Sequence, residues 1–285
     1  MVASSSQAVF VQFPHPKDEH NPGGAKRQPW NRCDHARKFI RSDGRCVDRN
    51  GSIHDGSLVF WGEWEAPSYV IKCWPGDGCL PRFLHDPVWE DPADSDPRQN
   101  TDPWVFGDCF RYSNCKQLSQ EKLRTLPRGS VILFGSTPGG NFVLDTVFVV
   151  RDAHRLVPKQ PPEIDEAFRV CTIVPLSLDG ECSGEEFVLY RGATREDPVE
   201  GMYSFAPCRR ADSEEPRFCR PPITLPHDYL DPARTRSPSG AKRSRPIDQI
   251  RKQWESVRDQ VFEARCFPGV WFRTPRLDNG CPPTN

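Results

Sequence analysis

With 285 residues, 36% hydrophobic and 27% charged, the chain lies in the range of folded proteins, and its length fits one large domain or a domain with an appendage. A formal net charge of −1 excludes a generally basic polyanion binder, so any contact with nucleic acid must come from a local patch. The opening MVASSSQAVFVQF has no basic n-region and no later stretch approaches ~18 apolar residues, so a cytoplasmic chain without a membrane partner is expected.

Alternation of apolar residues predicts a first strand at 8–13, followed by a loop broken by Gly and Pro at 14–29. A short helix is expected at 34–40, with His35 and Phe39 one turn apart. Strand patterns follow at 58–65, 69–73, 104–112, 131–134, 142–150, 168–174 and 187–190. The turn GSTPGGN at 135–141 joins two of them into a hairpin. Between these strands, 118–126 reads as a short helix capped by Ser119. The segment 231–246, DPARTRSPSGAKRSRP, reads as a flexible basic linker between a main domain (1–230) and a C-terminal helix and tail (247–285). In that helix Ile247, Ile250, Trp254, Val257 and Val261 recur at spacings of three and four, and Pro246 stands at its start. The 30 prolines imply short strands and long, shaped loops. The fold class that results is α+β, mainly β, with a barrel-type mixed sheet. The 12 scattered cysteines, in a cytoplasmic chain, are expected as buried free thiols.

Several carboxylates stand where the pattern calls for something else. In a strand over 104–112, Trp104, Phe106, Asp108, Phe110 and Tyr112 would share one face, setting an acid among aromatics. Such a wall with one polar handle suits a nucleobase, although an acid at a bulge bonded to backbone would look the same. In FWGEWE, Trp61, Glu63 and Glu65 share a face and could hold a cation, a base edge or a developing positive charge. Asp145 lies within a strand that is apolar on both sides. Among His15, Asp18, Glu19, His20, Cys33 and His35 no established zinc spacing occurs, so neither metal nor cofactor is expected, and His20 is a candidate general acid or base. The basic run that includes Arg27, Arg32, Arg37 and Lys38 is the candidate phosphate-binding patch, and 86–102 is acidic. No phosphate loop, dinucleotide fingerprint or serine-hydrolase elbow is present.

LPRGSVILFG at 126–135 followed by FVLDTVFVV at 142–150 resembles the strand pair of PUA-like barrels such as the EVE, YTH and ASCH families. FPHPKDEH, FWGEWEAPS and QNTDPWVFGDCFRYSNCKQ are similar in style to nucleotide-modification-associated domains of phage and bacterial DNA-modification systems. The resemblance implies recognition of an unusual base, in the setting of phage-defence DNA glycosylases acting on modified cytosine. No catalytic residue is carried over from it. Joined to the residue reading, it leads to an expected DNA glycosylase in which Asp108 or Asp145 stabilises the oxocarbenium ion and Glu63 and His20 read or protonate the base. Trp61, Phe106 and Tyr112, with Glu65 and Asn100, would hold the base. The alternatives are a non-catalytic reader of modified DNA or RNA bases and a protein-interaction module.

Overall fold

The computed structural model describes residues 6–280 except 16, 17, 33, 34, 77, 92–97, 160–162, 180, 181 and 183. In chain order the strands are β1 (Gln7–Pro14), β2 (Arg27–Gln28), β3 (Arg37–Val47), β4 (Ile53–Glu63), β5 (Ser68–Cys73), β6 (Phe83–Trp89) and β7 (Arg111–Tyr112). They continue as β8 (Val131–Ser136), β9 (Val143–Leu156), β10 (Phe187–Gly192), β11 (Ala206–Arg210), β12 (Ser244–Pro246), β13 (Phe267–Phe272) and β14 (Arg276–Leu277). One long helix, Ile247–Glu263, stands among much shorter helical turns. The fold is mainly β, as the pattern indicated.

Two sheets carry it. The first has the order β12-β1-β8-β9-β10-β7, with β1 and β8 parallel and the other neighbours antiparallel. The second has the order β13-β11-β4-β3-β6-β5-β2, and β13 also bonds β3. Strands β3, β4, β11 and β13 therefore close a ring. The first sheet is covered on both faces, so β1 beyond Gln7 and all of β8 are buried without a break. On one side Val11, Phe13 and Phe134 pack with Phe60, Trp64 and Phe106. On the other, Phe10, Leu133 and Val147 meet Ile250, Trp254 and Val257 of the long helix. All five periodic residues of that helix are buried, and the Trp254 indole donates to Tyr203 O at 3.0 Å. Segment 231–246, expected as a linker, bridges Gln12 through Ser239 and contributes β12.

Four local expectations change. Asp34 lies outside the described residues, but the rest of the expected helix at 34–40 enters β3, where Arg37–Ile40 are buried against β4 and cross-strand packing overrides local propensity. The expected strand at 104–112 is a tight reversal instead. Trp104 and Arg111 exchange backbone hydrogen bonds at 2.8 and 2.9 Å, and Gly107 takes φ +83° at the turn. The run at 168–174 is helical, continuing from Glu166–Phe168 behind an Asp165 side chain that accepts the Phe168 N–H. A short apolar run fits a buried helix as well as a strand. At 118–126 only Glu121–Arg124 winds into a 3-10 turn, and no side chain caps it.

Candidate functional site

A cleft of about 890 Å³ opens between the loop after β5, the β8–β9 turn and the segment around Arg220. Trp61, Arg82, Asn141, Val143 and Arg220 line it, and the disulfide Cys79–Cys219 ties two of its walls together. That bond corrects the free-thiol expectation at these two positions. Cys46, Cys109, Cys171, Cys208 and Cys266 are buried free thiols.

Trp61 comes from the buried end of β4, and its indole N–H donates to Phe218 O at 2.8 Å. The Arg220 guanidinium lies 5.7 Å from the Trp61 ring centroid, donates to Ser136 Oγ and approaches Asp145 Oδ1 to 3.6 Å. Beside the cleft, half-buried Trp74 is flanked by Lys72 at 5.2 Å and Arg217 at 5.3 Å. Glu19 fixes Arg82, accepting from its Nε at 3.0 Å and from the backbone N–H groups of Arg82 and Phe83.

Behind Arg220 runs a buried ion network. Arg37 and Glu63 face each other across β3 and β4 in direct register. Asp145 sits at a bulge in β9, where pairing with β8 jumps from Thr146 to Leu144. The extra residue breaks strict alternation, so Leu144 and Val147 enter the same apolar cluster while Asp145 is aimed elsewhere. Arg37 joins the sheets, donating from Nε to Asp145 Oδ2 at 2.7 Å and from Nη1 to Glu63 Oε2 at 2.8 Å. Burial opposes both charges, yet each holds the other ionised: Arg37 is raised by Asp145 and Glu63, and Glu63 is lowered below the usual carboxylate range by His35 and Arg37.

His35, in the extended lead-in to β3, places Nδ1 2.9 Å from Glu63 Oε1 and 3.0 Å from Glu65 Oε1. Burial works against the imidazolium, but the two carboxylates outweigh it and raise His35 to about 10. Glu65 also accepts from Asn31 Nδ2. His15 approaches Glu63 Oε2 at 3.6 Å. Burial and Arg37 push it down to about 3, so it stays neutral and that approach is not an ion pair. A neighbouring group comprises buried Lys38 and His85 and half-buried His20. Burial lowers Lys38 to about 8 and His85 to about 2. Among the described residues the Lys38 ammonium donates to Ala66 O at 3.5 Å, and the His85 Nε2 atom has no hydrogen-bond partner.

The structure thus gathers Trp61, Glu63, Glu65 and Asp145 into one neighbourhood and scatters the other candidates. Asp108 sits exposed at the 104–111 reversal, paired with Arg111 and Arg191 in a separate cleft. Phe106 is packed in the core, and Tyr112 stacks on Tyr190 with its hydroxyl donating to Cys115 O, so neither faces Asp108 as a cage. Asn100 is half-buried and donates to Asn114. Arg37 and Lys38, 1% and 2% exposed, cannot reach a phosphate backbone; their burial in β3 corrects that expectation. Arg27 is exposed but engaged with Glu90 and Asp278. Arg32 is exposed and does not line the cleft, and His20 bonds Gln28 at 3.1 Å. Arg220, Ser136, Trp74 and Arg217 were missed. Alternation of cationic and aromatic residues around 72–74 and 217–220 was the available signal. No protein-family model, curated protein or solved structure matches this chain.

Proposed function

We propose that the cleft receives a nucleobase turned out of a nucleic-acid strand and binds it as a reader of modified bases. The observation that carries this reading is Arg220, held beside Trp61 and within ion-pair reach of Asp145 in the cleft. The guanidinium presents donors to a base edge, the buried Asp145 carboxylate behind it steadies its charge, and the neighbouring indole offers an apolar wall. A volume of about 890 Å³ falls inside the ~300–1,000 Å³ of ligand pockets and leaves room for a base with an added substituent. Trp74 between Lys72 and Arg217 combines a stacking surface with cations that can follow phosphates. The β8–β9 hairpin falls on the residues that resemble PUA-like barrels, and we read the fold as a variant of that architecture.

A second reading, excision of the base, rests on Asp145 Oδ1, which is buried without a hydrogen-bond partner among the described residues. A carboxylate there could stabilise positive charge developing on a sugar. Asp108, away from this cleft, has no part in either reading.

Both are tested by incubating the protein with oligonucleotides carrying ordinary, hydroxymethylated or glucosylated cytosine. Retardation of one modified substrate in a native gel, weakened about ten- to hundredfold by Arg220→Ala, is expected for the reader. Alkali-labile breaks that vanish in Asp145→Asn would establish excision. Absence of retention even at low salt, where phosphate contacts are strongest, would rule out both.

A further inference from the structure

We infer that His35, Glu63 and Glu65 form a binding site for a divalent metal ion of the manganese or iron class, a property separate from the nucleobase reading. Their nearest ligand atoms all lie within 4.8 Å of one another. Each carboxylate has one oxygen fixed from behind: Glu63 Oε2 by Arg37 at 2.8 Å, Glu65 Oε2 by Asn31. The other oxygen of each is turned to the same place, toward His35 Nδ1. Outer donors that orient one carboxylate oxygen and leave the other free are what metal ligands require.

A single Nδ1–H serves this pair of oxygens poorly. Glu65 Oε1 accepts it at 3.0 Å, whereas Glu63 Oε1, 2.9 Å away, lacks the angular geometry of a hydrogen bond and is left buried without a partner. The Glu63 side chain is 2% exposed, so water does not reach that oxygen. A cation needs no angle from a donor hydrogen. Two ligands about 2.1 Å from a metal at right angles stand about 3 Å apart, so the separations of 2.9 and 3.0 Å already suit an octahedral ion. One nitrogen and two carboxylate oxygens favour manganese or iron over a thiolate-seeking metal. The carboxylates are enclosed, but the His35 side chain is 27% exposed, which leaves an entry path and open positions for water. On binding, the metal takes the Nδ1 lone pair, the Nδ1 proton leaves to solvent, and the two carboxylates keep their outer donors.

The test uses the full chain stripped with a chelator and then titrated with Mn²⁺ alone, free Mn²⁺ being followed by electron paramagnetic resonance. Manganese is chosen because exposed Cys73 and the other thiols bind it poorly. One Mn²⁺ per chain is expected, with a rise in melting temperature. His35→Gln should abolish retention while the partly exposed position preserves the fold, verified by circular dichroism. Asn31→Ala, which removes the donor to Glu65 Oε2, should weaken binding about 10- to 100-fold. No retained Mn²⁺, leaving His35 as an imidazolium between two carboxylates, would overturn the inference. So would retention unchanged in both variants. The readout is metal alone, so its failure leaves the nucleobase reading untouched.

Discussion

Arg37 shows how much one side chain can hold. It is buried between two carboxylates from different sheets, and both depend on it for compensation. Arg37→Ala is expected to lower stability by about 3–5 kcal/mol, read from urea midpoints, because Glu63 and Asp145 would each lose a hydrogen-bonded buried cation, keeping only His35 and the more distant Arg220. A loss below about 1 kcal/mol would mean that water enters and the network is less enclosed than its burial implies. His85 sets an acid limit. Its folded pKa of about 2 lies below the unfolded 6.5, so only the unfolded chain takes up a proton as pH falls below 6.5. Stability is full above that pH and falls by up to about 1.4 kcal/mol per unit below it, or about 2 kcal/mol at pH 5. In His85→Asn the difference between midpoints at pH 7 and pH 5 should shrink by that amount; an unchanged difference would show that His85 does not stay neutral. Glu63, Glu65 and Asp145 were legible in the sequence because acids interrupt apolar strands. Their partners were not, since Arg37 reaches Asp145 across 108 residues and Arg220 stands in an irregular segment.

At the level of elements, the β8–β9 hairpin positions the site. A Cβ on Gly135 would stand 2.1 Å from Val143 O and 2.7 Å from the Phe142 ring, so the glycine is what allows the bulge that aims Asp145. Gly135→Ala should cost about 1–3 kcal/mol in thermal unfolding, as overpacking does, and should weaken ligand binding along with Asp145→Asn. A neutral effect on both would show that the bulge does not depend on this close approach. Legibility differed from element to element for physical reasons. The long helix announced itself through periodicity, and the hairpin through its turn. The 104–112 segment misled because alternating aromatics imitate a strand while a positive φ at Gly107 reverses the chain. His35 likewise meets Glu63 and Glu65 only through the β3–β4 pairing, which no local spacing reveals.

Across the whole molecule, the cleft lies where the two sheets and the late irregular segment come together, with residues from β4, β9 and positions 219–222 on its walls. Arg37 spans the sheets from within, and Cys79–Cys219 spans the cleft walls from 140 residues apart. No helix among the described residues is long and apolar enough to cross a membrane. Mainly β architecture could be read from composition and turn chemistry. The ring of β3, β4, β11 and β13 could not, because β13 closes it from the far end of the chain. The most direct test of the central claim is photocrosslinking with a single-stranded oligonucleotide carrying one 5-iodouracil, followed by mass-spectrometric mapping of the adduct. Crosslinks at Trp61 or Trp74, lost in Arg220→Ala, are the expected result. Crosslinks confined to a surface remote from the cleft, or none at low salt, would contradict it.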